Sequence, residues 1–184
     1  MDLFEVRDGR AFPSTHALLV QPFKAIWQED NSVDKGDAIK ALSFIELFCS
    51  PKKSNPFVGY TNKDTRYLKL KEELYGDPTY QLPVLVIDGI SKYEELLENS
   101  SPTYSFLLTA FDAANKLKDF FKGFDLNERT NSGAAVYKPK DISTALTDVD
   151  KVVKSLDSLM TKVNEELLDD AKLRNNRQVG LFED

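Results

Sequence analysis

The sequence predicts a mostly α-helical protein: a bundle of about five or six helices with one long C-terminal heptad-seamed helix, and extended arms at both termini. Two observations predict this fold class. Apolar residues recur every three or four positions along most of the 184 residues, which is the spacing of one helix face. The one strand-like run, residues 84–87, has no partner of similar strength elsewhere. We therefore divide the chain into an N-terminal arm (1–21), a helical domain (22–173) and a C-terminal docking tail (174–184).

The N-terminal arm holds the weakest pattern in the chain. Residues 3–6 alternate weakly, Asp8-Gly9 is a turn signal, and residues 17–20 form a short apolar run. Such a segment is typical of an extended arm or of a small hairpin, and both alternatives stay open.

Two helices are predicted next. Pro22 suits the first turn of a short helix, because the N–H that proline lacks would be unpaired there anyway. Trp27 shares the apolar face of that helix with Phe23. Asp34 is the predicted N-cap of the second helix, which ends before Pro51. Its apolar stripe is wide enough to be buried between neighbours.

A loop at residues 51–62 leads to a third helix. Thr61 or Asn62 is expected to cap its start. Gly76 is expected to end it, since glycine readily takes the left-handed backbone that closes many helices.

Segment 83–98 permits two interpretations. Its first residues read as a buried strand, yet apolar residues continue at helical spacing to its end. We favour one helix, in which Gly89 costs about 1 kcal/mol relative to alanine. The next helix, residues 102–122, is the most apolar of the chain, and we expect it to form the centre of the core.

The clearest architectural signal is an apolar seam in the last helix, which Pro139 opens. The spacing of its residues alternates between four and three, as in a coiled coil. The seam consists of Ile142, Leu146, Val149, Val153, Leu156, Met160, Val163 and Leu167. Such a seam predicts contact with another helix, from the same chain or from a neighbouring one.

The C-terminal tail, RNNRQVGLFED, differs from the charged helix before it. We expect that helix to end near Leu173 and Asn175-Asn176 to turn the chain out of it. The residues predicted to dock on a partner are Arg174, Arg177, Val179, Leu181 and Phe182. Strand addition and insertion into a hydrophobic groove are the two docking modes considered. Folding back onto the chain's own core is the alternative.

No catalytic, cofactor or metal site is predicted, and we do not expect an enzyme. His16 is the only histidine and Cys49 the only cysteine, which excludes two-histidine metal motifs, cysteine clusters and an intramolecular disulfide. Cys49 lies on an apolar helix face and is expected to behave as a small buried hydrophobe. A magnesium enzyme that uses only Asp and Glu is the remaining catalytic alternative, and no residue spacing supports it.

Charge and hydropathy argue against two further classes. The net charge of −6 and the pI near 5.0 give no chain-wide basic footprint for nucleic acid. Apolar runs are only a few residues long, whereas a bilayer span needs roughly 20. The first residues also lack the apolar region of a signal peptide. We therefore expect neither sequence-specific DNA binding nor a membrane partner.

The order of several segments resembles a known family. The segments are NPFVGYTNKDTR, YGD, KYEELLE, a Phe-rich helix, VYKPKDISTALTDVDKVVKSLDSL and NNRQVGLFED. Together they resemble small virion-associated proteins encoded by crAss-like tailed phages of gut bacteria. Related sequences carry Gly-Gly where this chain has Asn175-Asn176, and asparagine tolerates the same left-handed backbone. None of these segments is a catalytic motif.

The resemblance implies a structural virion protein of the portal–tail region, namely a head–tail connector, also called an adaptor or ring protein. It implies a homo-oligomeric ring of twelve copies around the DNA channel, with the portal and adjacent tail or ring proteins as partners. DNA would pass without sequence-specific binding. The expected location is the virion, after assembly in the host cytoplasm. The alternative is a non-virion phage binding module, such as an assembly chaperone, a scaffold or a cytosolic regulator.

Overall fold

The computed structural model describes residues 3–123, 125 and 127–179, with the side chains of 139, 141 and 170–179 left undescribed. Two strands come first, followed by a 3₁₀ turn (Ala17–Leu19) and six α-helices. The strands are β1 (Phe4–Arg7) and β2 (Arg10–Pro13). The helices are α1 (Gln21–Glu29), α2 (Gly36–Cys49), α3 (Lys63–Tyr75), α4 (Val84–Ser100), α5 (Tyr104–Lys122) and α6 (Pro139–Val179). The described chain is mostly helical, as predicted.

The N-terminal segment forms a hairpin, one of the two predicted alternatives. β1 and β2 pair antiparallel, and the turn between them places Asp8 and Gly9 at φ 51° and 73°. Two successive positive φ values suit the right-handed twist of a two-residue hairpin. Phe4 and Ala11 are buried, and Ala11 N–H donates to Ser43 Oγ of α2 at 2.7 Å. The expectation of an extended N-terminal arm is therefore wrong, because these apolar residues complete the core.

The central helix is α2, where ten of 14 residues are buried. It packs against β2, α1, α3 and α4. We expected α5 at the centre, but α5 is buried only at Tyr104, Leu107 and Phe111. The correction has a physical reason: apolar content says how much surface a helix offers, whereas neighbours on several sides decide which helix is enclosed.

The start of α2 differs from the prediction. Lys35, not Asp34, precedes the helix, in a left-handed conformation with φ 54° and no side-chain cap. Asp30 serves the helix instead, since its Oδ2 accepts from Ala38 N–H at 2.9 Å. Hydrogen bonds from the side chain of Ser32 and from the Ala38 backbone lower the pKa of Asp30 to about 2. The capping carboxylate thus comes from the end of α1 and ties the two helices together.

The ends of α3 match the prediction. Asn62 Oδ1 accepts from Thr65 N–H at 2.8 Å, which caps the first turn. Gly76 closes the helix with φ 71°.

Residues 84–98 lie in a single helix, α4, with Pro83 as its N-cap, so the favoured interpretation of one helix is confirmed. Gly89 has a packing role that its helix propensity does not reveal. A Cβ atom at Gly89 would lie 2.5 Å from Ile45 Cδ1 of α2. Glycine therefore lets α2 and α4 approach closely.

The last helix is longer than predicted, because α6 continues to Val179 rather than ending near Leu173. Asn175 and Asn176 are helical. Asparagine costs only about 0.7 kcal/mol relative to alanine in a helix, and residues 140–179 contain neither glycine nor proline. Of the predicted extended tail, 174–179 is therefore helix, and 180–184 lie outside the described residues.

Candidate functional site

The predicted seam of α6 divides into two parts. Val163 and Leu167 are buried, and Leu156 and Met160 are partly buried against the core. Toward the start of the helix the same seam is open. There Leu146 is 59% exposed and Val153 is 56% exposed.

A second set of residues is covered in the open part. Residues partly buried along this stretch recur at intervals of three and four: Ile142, Ala145, Val149, Val152, Leu156 and Leu159. In this part α6 therefore turns a slightly rotated face to its own chain. Over the helix as a whole, α5 is the element that α6 contacts most. Leu146 and Val153 of the predicted seam lie beside the covered face, so they do not contact a helix of the same chain there, and contact with a neighbouring chain stays a prediction.

Glu166 anchors the buried half of α6 to the start of α5. Its carboxylate accepts from Ser101 Oγ at 2.6 Å, from Thr103 N–H at 3.1 Å and from Thr103 Oγ1 at 2.5 Å. Burial disfavours the charge, but these three hydrogen bonds outweigh burial and hold the pKa of Glu166 below its usual range. A negative charge at a helix N-terminus is also favourable with respect to the helix dipole.

The segment NPFVGYTNKDTR forms a structural clamp around the end of α2. Asn55 Nδ2 donates to Leu47 O and Ser50 O, each at 2.8 Å. Arg66, which is buried, donates to the carbonyl oxygens of Phe48 and Tyr60 at 2.9 Å. The described contacts of this segment therefore serve folding: they satisfy the carbonyl groups that a helix leaves unpaired at its C-terminus.

The clamp positions two lysines beside α6. Lys52 Nζ lies 3.8 Å from Oε1 of Glu46, a buried residue that also accepts from Tyr93 Oη at 2.5 Å. Lys53 Nζ lies 2.9 Å from Asp157 of α6, and both groups are largely exposed. The loop after α2 is thus connected to the core on one side and to α6 on the other.

Between this loop and α6 lies a groove of about 410 Å³. We call it the α6 groove and define it by its lining residues, Lys52, Lys53, Ser54, Thr161, Asn164, Glu165, Leu167 and Leu168. Leu168 is 55% exposed there. The groove therefore combines the exposed part of Leu168 with charged side chains on both of its walls.

The two residues considered for chemistry lie in unrelated places. His16 is exposed beside the 3₁₀ turn, whereas Cys49 is buried at the end of α2. Burial raises the pKa of the Cys49 thiol, as expected of a small buried hydrophobe. Among the described residues, no group of three or more His, Cys, Asp or Glu side chains is placed to hold a metal ion.

The structure does not test the predicted docking residues. Arg174, Arg177 and Val179 belong to α6, but their side chains are outside the description. Leu181 and Phe182 lie outside the described residues altogether. Their role as docking residues stays a prediction.

Sequence reasoning missed Arg66, Glu166 and Asn55 as organising residues. Each acts over a distance in sequence that periodicity does not report. The Ser-Pro-Thr stretch at 101–103 carried the one available signal, since serine and threonine favour helix starts.

Comparisons with known proteins add no relative. No family model, no curated protein and no solved structure matches the chain. None of the helices in the described part of the chain combines the length and apolar composition of a transmembrane span.

Proposed function

We propose that the protein is a structural component of a tailed-phage virion, a head–tail adaptor that forms a ring below the portal. Each subunit would contact its two neighbours through different surfaces, as closed rings require. The resemblance of segment order to virion-associated proteins of crAss-like phages supports this role. The proposal assigns no catalytic step to the chain.

The observation that carries the proposal is the open half of the α6 seam. Leu146 and Val153 lie one heptad apart and are both more than half exposed. Burying a leucine or valine side chain contributes roughly 1.5–3 kcal/mol. Two such side chains aligned on a long helix favour contact with a helix of another subunit.

Charge is compatible with a position beside the DNA channel. The chain carries 30 acidic and 24 basic residues. Phosphate contacts dominate the affinity of proteins for DNA, and they require clustered lysine and arginine. An acidic ring would let DNA pass with little adhesion.

Two measurements test the proposal. Quantitative mass spectrometry of purified virions is expected to find the chain in a fixed ratio to the portal protein, and cryo-electron microscopy is expected to place it as a closed ring at the portal vertex. Absence from purified virions, together with abundance in infected cells, would contradict the proposal. That result would favour the assembly chaperone, scaffold or regulator instead.

A further inference from the structure

The α6 groove combines two leucines with two lysines, each of which is paired with an acid, Lys52 with Glu46 and Lys53 with Asp157. Leu167 and Leu168 line it from α6, and Lys52 and Lys53 line it from the opposite loop. Glu165 is its single acidic lining residue. The volume of about 410 Å³ lies within the range of roughly 300–1,000 Å³ that is usual for ligand pockets.

We propose that this groove binds residues 181–184 of a second copy of the chain, with Leu181 and Phe182 against the leucines and Glu183 and Asp184 beside the lysines. This inference rests on the proposed ring, for which it supplies a contact between subunits. The order of chemistry in the segment, two apolar residues followed by two acids, matches the groove.

Lys53 is able to exchange partners on binding. Lys53 pairs with Asp157 across exposed side chains. Exposed ion pairs of this kind contribute only about 0–1 kcal/mol. A carboxylate brought in with a buried phenylalanine therefore competes on favourable terms.

The reach of the chain points to a second copy rather than to the chain's own groove. Lys53 pairs with Asp157, which lies 22 residues before Val179, so the helix separates Asp157 from Val179 by about 33 Å at 1.5 Å per residue. Asp184 follows Val179 by five residues, which span at most about 18 Å even when fully extended. The acids of the segment therefore fall short of Lys53 in the chain's own groove while α6 is helical to Val179.

A contact of this kind is directional. Each copy offers one segment and one groove, on different surfaces, so successive copies join head to tail and close into a ring or continue as a filament. In a closed ring each copy is held by two such contacts, so the ring is more stable than a single contact would make it, without any new type of contact.

The test uses full-length chains with one half of the contact removed. The segment variant carries L181A and F182A together, and the groove variant carries L168E. L19E is the matched control, since Leu19 is a leucine 77% exposed at a site remote in sequence from the groove. Glutamate favours helices, so circular dichroism is expected to show unchanged helix content for the groove variant.

Sedimentation velocity of single and mixed chains gives the decisive reading. We expect the wild type and L19E to associate alike, and each contact variant alone to associate at least tenfold more weakly. A one-to-one mixture of the two contact variants is expected to form dimers, because one intact segment meets one intact groove. A mixture that stays monomeric, or single variants that associate like the wild type, would overturn the inference.

Direct binding covers the case of a weakly associating wild type. A fluorescent peptide of residues 177–184 is expected to bind the segment variant, and addition of L168E to that chain is expected to weaken binding at least tenfold. No binding at millimolar concentration, or equal binding to both chains, would refute the contact. Virion mass spectrometry is independent of these measurements, so failure of the docking contact and failure of the adaptor role are distinguishable.

Discussion

In the body of the protein, around α2, polar groups pair across long distances in sequence. Tyr93 meets Glu46, and Glu166 meets both Ser101 and Thr103. In the distal part of α6, residues 139–155, the recorded ion pairs are local. Lys151–Asp148 and Lys154–Asp150 span one helical turn.

The apolar residues of the two regions show the same contrast. Leu167 is 4% exposed in the body, whereas Leu146 on the same predicted seam is 59% exposed. Local ion pairs stabilise a helix by a few tenths of a kcal/mol each but do not fix its position in a fold. The body is therefore specified by contacts within its own chain, whereas the distal part of α6 keeps an exposed apolar face.

The sharpest way to break this comparison is a matched pair of leucine variants. Leu167→Ala is expected to destabilise the isolated chain by about 2–4 kcal/mol, since it opens a cavity in a packed core. Leu146→Ala is expected to change stability by no more than about 0.5 kcal/mol, because its side chain is largely in water. Urea denaturation followed by circular dichroism measures both. Equal effects would show that the distal seam is packed within the single chain.

The anchor of α6 is tested next. Glu166→Gln is expected to cost about 1–2 kcal/mol at pH 7, since glutamine loses the charge and one acceptor that the α5 start requires. The neighbouring Glu165→Gln is the control, since Glu165 is exposed.

The stability cost of Glu166→Gln is expected to depend on pH, and the direction follows from the pKa of Glu166. The pKa of Glu166 is lowered in the folded state, so its contribution is fully present above the unfolded value of about 4.3. It is lost as pH falls through the lower folded value. The difference in unfolding free energy between wild type and E166Q is therefore expected to shrink as the pH falls from about 5 to about 3, a range that lies on both sides of the unfolded pKa. A difference that stays constant over this range would contradict a charged Glu166 anchor.

Gly89→Ala tests whether packing overrides propensity. Helix propensity alone favours alanine by about 1 kcal/mol, but the new Cβ would meet Ile45 Cδ1 at 2.5 Å. Overpacking costs about 1–3 kcal/mol, so we expect a net loss of about 1 kcal/mol by urea denaturation. Ile45→Val removes the clashing methyl group, and the double variant is expected to lose less than the sum of the two single changes. Strict additivity would show that the contact is not the cause.

The smallest effect is expected on the solvated face of the distal helix. Lys154→Gln removes the pair with Asp150 and is expected to cost about 0.3–0.5 kcal/mol at low salt. The cost is expected to vanish at high salt, where exposed charges are screened. A larger effect that persists at high salt would reveal a contact beyond this local pair.

Several elements could be predicted because their signals are local. Asn62 and Gly76 mark the ends of α3 through side-chain capping and backbone conformation, which neighbouring residues decide. The helical state of segment 83–98 also followed from spacing within the segment. The start of α2 was mispredicted, because the carboxylate that serves it, on Asp30, comes from the preceding helix end.

The candidate site was less accessible to prediction. Leu167 and Leu168 are adjacent in a helix, but the groove exists only because the clamp holds Lys52 and Lys53 opposite them. That clamp depends on Arg66, which donates to backbone carbonyl groups. Every residue has a backbone carbonyl group, so the residue types do not indicate which ones Arg66 contacts. A pattern search reads side chains in sequence order and does not register backbone acceptors brought together by folding.

The amino-acid sequence by itself determined the helical class, the two helix ends of α3 and the existence of a long amphipathic last helix, since these depend on interactions within a few residues. Tertiary structure decided that α2 is the enclosed helix, that Gly89 is a contact point, and that Leu167 is covered while Leu146 is open. The physical reason is that periodicity gives the direction of an apolar face, whereas its burial depends on which side of the helix the neighbouring elements contact. Along the first half of α6 the covered face is rotated away from Leu146 and Val153, so the same seam passes from core to surface.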